Sequence, residues 1–398
     1  MQDKQKTITL VARADWIFVL SLVGYPLVSG VIEIFSMNSR VISVPFRAVV
    51  AAASCYVVLM FVIKRARFRL SLFWACWVLF WMGYLSRILV DGRLNPAALQ
   101  LPEWEYWLYA VGVSMLPALA VGVRAEKLSA SCSLNRVVTV AAAAIAINIV
   151  ILSSIYGFDL SLTSSFLRAE TETLNPIALG QLSVTCMIAS AWWLAGTSVT
   201  RSRWAMLYYL AFFIGLVGLF ISGSRGPVLS LIVVIAAVIF KSNLVAKLFF
   251  GVLFALAAIT VALTPFLSDF YLIERVTTQM WSDSIRIGLL AEALNLIGQH
   301  PFLGNGVAPM VVYPHNIIIE AFMVGGVTMG LLLLIILGIS TFQALSLLDL
   351  RNPRGWIALI FIQYAVAAMV SGSLYIVSPM WVAMAAVMGS GSLYCRER

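Results

Sequence analysis

His315-Asn316-Ile317-Ile318-Ile319-Glu320-Ala321-Phe322-Met323-Val324-Gly325-Gly326-Val327-Thr328-Met329-Gly330-Leu331-Leu332-Leu333-Leu334-Ile335-Ile336-Leu337-Gly338 decides the fold. Past its polar head the run is apolar apart from Glu320. It is long enough to cross the hydrocarbon core of a bilayer as a helix, which takes about 20 residues.

Apolar runs of this kind recur about twelve times along the chain. They lie at 16–36, 44–63, 70–90, 104–123, 136–156, 176–197, 203–222, 227–241, 244–264, 315–338, 355–375 and 379–393, the eighth and twelfth being short. Of the 398 residues, 62% are hydrophobic and 11% charged. A soluble domain carries roughly 25% charge, and no water-soluble fold could bury this much apolar surface. A backbone in lipid must satisfy its own hydrogen bonds, so the expected fold is all-α, a polytopic transmembrane helix bundle of about twelve spans. Residues 1–398 read as a single integral membrane domain, with no clear repeat and no low-complexity tract.

The net charge of +9 is read as topology. Lys4, Lys6 and Arg13; Lys64, Arg65, Arg67 and Arg69; Arg124, Lys127 and Arg136; Arg201 and Arg203; Lys241 and Lys247; Arg351 and Arg354; and Arg396 and Arg398 fall in alternate loops. The positive-inside rule places these loops, and both termini, in the cytoplasm, and no nucleic-acid partner is implied. The first apolar run is too long for the core of a signal peptide. The five cysteines, Cys55, Cys76, Cys132, Cys186 and Cys395, suggest no disulfide framework. The opposite loops are short except 157–175 and 265–314, and the latter carries an amphipathic helical pattern at 284–299.

Outward-facing basic residues are few: Arg40, Arg93, Arg168, Arg225, Arg275 and Arg286, with Arg47 and Arg87 near that boundary. Arg225 stands in Ser222-Gly223-Ser224-Arg225-Gly226-Pro227, with Pro227 read as the first helical residue, where its missing N–H is not needed. Free N–H groups and the positive dipole end make such a place suited to an anion. Arg168 precedes Asn175-Pro176, which reads as an N-cap and a first helical residue. Arg286 falls within the apolar face formed by Ile285, Leu289, Leu290, Ala293, Leu294, Leu296 and Ile297, where a lone cation is costly unless an anion or a partner meets it. The bland alternatives are a tight turn at Arg225, pairing of Arg168 with Glu170 or Glu172, and snorkelling to headgroups.

His300, before Pro301, reads as structural. His315 lies at the outward start of the tenth span, where the helix dipole disfavours imidazolium and leaves a neutral ring able to accept a proton. Tyr313 and Asn316 flank it as candidate substrate contacts. Several cations, one candidate base and few acids suit a diphosphate with a hydroxyl deprotonated beside it. Neither a metal-ligand spacing nor a cofactor motif is read, so no metal and no cofactor is expected.

Ser224-Arg225-Gly226, Asp283-Ser284-Ile285-Arg286, His300-Pro301-Phe302-Leu303-Gly304-Asn305-Gly306 and Pro314-His315-Asn316-Ile317-Ile318-Ile319-Glu320 together resemble the O-antigen ligase/polymerase superfamily over about 168–330. The resemblance implies a metal-independent inverting glycosyltransferase with a GT-C-type membrane fold, in the bacterial inner membrane, its site facing the periplasm. The implied donor is an undecaprenyl-diphosphate-linked oligosaccharide. Arg225 and Arg286 would hold the diphosphate, Arg168 the diphosphate or sugar, and His315 would activate the acceptor hydroxyl. The periplasmic loop 265–314 would cover the site. The acceptor is another lipid-linked repeat unit in a polymerase, or lipid A–core in a ligase, and a chain-length regulator is a further implied partner. Arg168 with Gly180 and Arg286 with Gly298 share one spacing, one residue longer than the paired arginine–glycine elements of polymerases. That and the short outer loop lean the reading to an O-antigen or exopolysaccharide polymerase. A lipid-linked oligosaccharide flippase is the rival class, though a carrier should show internal repeats and midplane charges.

Overall fold

A computed structural model describes residues 14–35, 39–64, 71–94, 96, 99–123, 130–156, 175–196, 203–241, 284–310, 312–349 and 352–394; the side chains of 39, 130–131, 155–156, 203–204, 284–286 and 390–394 are outside that description. Among the described residues the chain is all-helical. In order the helices are α1 (Ala14–Ile34, with a π-helical stretch at Leu20–Gly24), α2 (Ser39–Ile63), α3 (Leu72–Leu94) and α4 (Glu103–Trp107, a π-helical Leu108–Met115, then Leu116–Gly122). They continue with α5 (Ala130–Tyr156), α6 (Pro176–Gly196), α7 (Arg203–Ser222), α8 (Arg225–Lys241), α9 (Ser284–Gln299), α10 (Ile317–Leu347), α11 (Gly355–Ser371) and α12 (Ser378–Tyr394).

Seven helices among the described residues are long and apolar enough to cross a membrane: α1, α2, α3, α5, α6, α7 and α10. The runs expected at 104–123, 227–241, 355–375 and 379–393 fall on helices that are shorter or interrupted. The run at 244–264 lies outside the described residues.

Without a hydrophobic drive between helices in lipid, close approach through small residues does much of the joining. Gly215 and Gly218 on α7 let it lie against α6: a Cβ at Gly218 would come within 2.5 Å of Ser183 Oγ. The centre of the bundle is aromatic. Trp74, Trp77, Trp81 and Tyr84 follow one face of α3 and are buried. Trp81 meets Trp381 of α12 at 5.1 Å between ring centroids.

The longest helix, α10, has 31 residues, about 46 Å of rise. It is broken one-third of the way along, where Gly325 and Gly326 leave helical geometry and Gly326 takes φ 64°. A break in an apolar span frees backbone groups that lipid cannot satisfy. The loop after α9 supplies the partners: Asn305 N–H donates to Met323 O at 2.6 Å, and Val327 N–H donates to Pro301 O at 2.8 Å. The approach is backbone to backbone. A Cβ at Gly326 would sit 2.4 Å from the Phe302 carbonyl, and one at Gly304 2.4 Å from Val324 O. Gly304 and Gly306 themselves hold φ 71° and 112°. The 265–314 loop, expected as a cover, is thus docked onto a transmembrane helix over its described final part.

The helix expected at 284–299 is present as α9, but only part of its apolar face is covered. Ala293 is buried with Met310 and Met323, and Leu289, Leu296 and Ile297 pack beside them. Ile287, Leu290 and Leu294 are exposed. By register, position 286 lies within about 20° of Ala293 and Ile297, on the covered side.

Gly326→Ala puts a Cβ into the Phe302 carbonyl and forces a left-handed alanine, at a cost of at least about 1–3 kcal/mol. Gly338→Ala, whose Cβ meets open space, costs nothing. Thermal melting of the two detergent-purified variants checks this: Gly326→Ala melts several degrees below the parent chain and Gly338→Ala does not. Equal melting would mean that the glycine break does not hold the loop.

Candidate functional site

Three of the sequence-derived residues, Tyr313, His315 and Asn316, stand at the head of α10. Asn316 is the N-cap, its Oδ1 accepting from Ile318 N–H at 3.0 Å and Ile319 N–H at 3.2 Å. This satisfies amides that a helix start otherwise leaves open. Its Nδ2 donates to Met369 O of α11 at 3.2 Å. Asn316, expected as a substrate contact, is therefore occupied in holding the helix.

His315 stands one residue outside the helix, with φ 55°, the non-glycine residue of positive φ among those described. A left-handed imidazole residue is uncommon and costs of order 1–3 kcal/mol, so the surroundings must over-determine it. Tyr313 is one such constraint, its ring centroid 4.4 Å from that of His315. Burial, and then the coulombic effect of Glu320, hold the Tyr313 hydroxyl above the usual phenol range.

Glu320, one turn into α10, is 3% exposed. Its Oε1 accepts from Ser373 Oγ–H at 2.6 Å and its Oε2 from Leu374 N–H at 3.0 Å. A carboxyl group inside a span is expensive unless hydrogen-bonded. Here it ties the head of α10 to the loop between α11 and α12. A lone acid in an apolar run is visible in the sequence, but its partners are not.

Arg225 opens α8 as expected from the motif, half-buried, after a turn in which Gly223 has φ 54°. The helix begins at Arg225, so Pro227 is its third residue and not its first. Proline costs nothing at either position, because the first four N–H groups have no intrahelical acceptor. α6 lies hard against this turn: a Cβ at Gly180 would meet Pro227 Cγ at 2.5 Å and Ser222 Oγ at 2.8 Å. Gly298, its counterpart in the expected arginine–glycine pairing, faces open space. The two glycines therefore do different jobs. Asn175 caps α6 as expected, accepting from Ile177 N–H at 2.9 Å.

Arg168 lies outside the described residues. Arg286 is placed only as a position in the first turn of α9. Two of the outward arginines are structural: Arg40 pairs with Glu105 at 3.4 Å and Arg87 with Asp91 at 3.2 Å.

Tyr313 and Ser373 also line a cavity of about 330 Å³, together with Asn175 and Gln181 from α6, Tyr109 from α4 and Arg47 from α2. From the sequence alone Arg47 is only a residue near the outward boundary of a span. Its place in the cavity depends on α1, α2 and α4 coming together, and no local pattern records that. No protein-family model matches the chain, and no curated protein matches it.

Glu320→Ala leaves the Ser373 hydroxyl and the Leu374 N–H buried without an acceptor, a loss of about 1–3 kcal/mol. Its apparent melting temperature in detergent falls, and that of Glu320→Gln, which keeps one acceptor oxygen, falls less. A Glu320→Ala chain that melts like the parent would show that the carboxylate does not hold α10 to the α11–α12 loop.

Proposed function

We propose that this chain is an inner-membrane glycosyltransferase of bacterial surface-polysaccharide assembly, acting on the periplasmic side. It transfers a glycan from undecaprenyl diphosphate to a sugar hydroxyl without a metal. In this reading the chain has about twelve spans and a GT-C-type arrangement, with both termini cytoplasmic. The observation that carries the reading is the seat of His315. It is a strained residue ahead of a capped helix, against a tyrosine that lines a cavity, on a helix head anchored twice to a neighbouring segment. A base built into such a support is preorganised.

The step balances with the residues the motifs name. His315 takes the proton of the acceptor hydroxyl. The oxygen attacks the anomeric carbon, and the bond from that carbon to the diphosphate oxygen breaks with inversion. The lipid diphosphate leaves with the electron pair, its charge met by Arg225 and Arg286. Arg168 and Tyr313 contact diphosphate or sugar. The acceptor is a second lipid-linked repeat unit, which makes the chain an O-antigen or exopolysaccharide polymerase. With lipid A–core as acceptor it would be a ligase.

A deletion strain's surface glycan, resolved on a gel beside its undecaprenyl-linked intermediates, separates these outcomes. Lipid A–core carrying a single repeat unit means a lost polymerase. Long polymer held on undecaprenyl diphosphate with bare core means a lost ligase. Repeat units retained on the cytoplasmic leaflet would overturn transfer in favour of transport. Complementation with His315→Ala restores membrane abundance but lowers transfer about 10²–10⁴-fold, the usual contribution of a general base. Normal glycan from that variant would remove His315 from the chemistry. Arg225→Lys is also severe where the diphosphate contact is bidentate, since lysine is a point charge; full activity would mean that Arg225 makes no such contact.

A further inference from the structure

The cavity beside the head of α10 contains a cation that the transfer reading leaves unused. Its described lining includes no Asp, Glu, Lys or His, and Arg47 is its one charged group. Phe46, Val50, Val113 and Leu182 make much of the remaining wall apolar. Arg47 lies in the first third of α2, just past Pro45, and is half-buried. Arg40, Arg87 and Arg136 each sit within ion-pair distance of a carboxylate; among the described residues Arg47 does not. Aromatic groups hold it instead. Its guanidinium lies 4.7 Å from the Tyr109 ring centroid and 5.0 Å from that of Tyr25. Its Nη1–H donates to Tyr109 Oη at 2.7 Å.

These contacts fix the orientation of the guanidinium, and among the described residues no carboxylate compensates its charge. Tyr109 takes one of five N–H donors. A cation in an apolar cavity is costly without an anion, and a fixed guanidinium fork matches the oxygens of a phosphate. The volume is that of a ligand pocket. Walls that are apolar around a single cation fit an occupant that is itself amphiphilic.

We propose that this cavity seats a phosphate-bearing lipid, its phosphate on Arg47 and Tyr109 and its first hydrocarbon units along Phe46, Val50 and Val113. Arg225 is not among the residues that line the cavity, and the proposal does not require that a glycan be transferred. Free phosphate shares the head-group chemistry, and the test separates the two sources.

The detergent-purified full chain is irradiated with a diazirine-bearing farnesyl phosphate, and the labelled peptides are mapped. Label falls on residues 39–63 and 108–115. Geranylgeranyl phosphate competes for it, whereas geranylgeraniol and inorganic phosphate do not. Arg47→Gln reduces the label by about tenfold or more, as expected for losing a charge-assisted hydrogen bond. Val113→Phe, which keeps the cation and fills the apolar wall, reduces it too and so serves if Arg47→Gln fails to fold. Undiminished label in both variants overturns the proposal. Equal competition by inorganic phosphate overturns the lipid, and equal competition by geranylgeraniol overturns the role of Arg47. Label confined to 225–241 or 284–299 overturns this site and leaves the transfer reading standing.

Discussion

A peptide group released from a helix inside hydrocarbon has to be met by another peptide group, and the break at Gly325–Gly326 makes that demand in the middle of the bundle. The loop after α9 answers it with Asn305 N–H and Pro301 O. Much else depends on this contact. It requires glycine at 304 and 326, where a Cβ would strike backbone. It sets the residues before the break apart as a short helical head, joined to the rest of α10 through a bend. The loop is fixed at two further points, by Asn305 Nδ2 on Leu296 O and by Val307 N–H on Asp91 Oδ2, both at 2.7 Å. Asp91 in turn is the partner of Arg87. The C-terminal ends of α3 and α9 and the first part of α10 are thereby joined by polar contacts that only a defined arrangement satisfies.

A head freed from its own helix would be a poor platform for chemistry unless other elements held it. Asn316 and Glu320, one turn apart, both reach the α11–α12 side, one through Met369 O and the other through Ser373 and Leu374. A helical head restrained at both ends of its first turn gives the residue before it a fixed exit direction. That explains how His315 keeps a backbone conformation that costs free energy on its own. The broken helix and the doubly anchored head are two halves of one solution: the break gives the head its direction, and the anchors give it rigidity.

How much of this the sequence discloses varies with the range of the interaction involved. Local chemistry is legible: Asn175 ahead of Pro176, the Gly223 turn into Arg225, and the helix start after His315 all follow from residue types within a few positions. Length and hydropathy are legible too, since helices occupy every described apolar run. The break in α10 is not, because two adjacent glycines in a long apolar run read equally well as close helix packing until the loop that meets them is seen. The covered side of α9 is narrower than its hydrophobic pattern, because apolar residues that face lipid or solvent carry the same letters as those that face Met310 and Met323. Arg47 and Glu320 were visible as isolated charges. What they touch lies far along the chain, and so Asn316 was read as a substrate contact when its amide is engaged on α10 and α11.

The floor of the cavity bears on what kind of site this is. Beneath it Gln181 Nε2 donates to Ser230 Oγ at 3.0 Å, and Gln363 Nε2 donates to the Gln181 carbonyl oxygen at 2.7 Å and to its Oε1 at 3.0 Å. Thr185 Oγ1 contacts Gln363 Oε1 and Tyr364 Oη, each at 3.1 Å. These groups are buried, come from α6, α8 and α11, and satisfy one another. A closed network of this kind is expensive to open, because each separated group would keep the desolvation cost and lose its partner. Among the described residues it contains no ionisable group of the kind that lines a proton or ion path. The cavity therefore meets, at Gln181, a buried polar network that closes on itself.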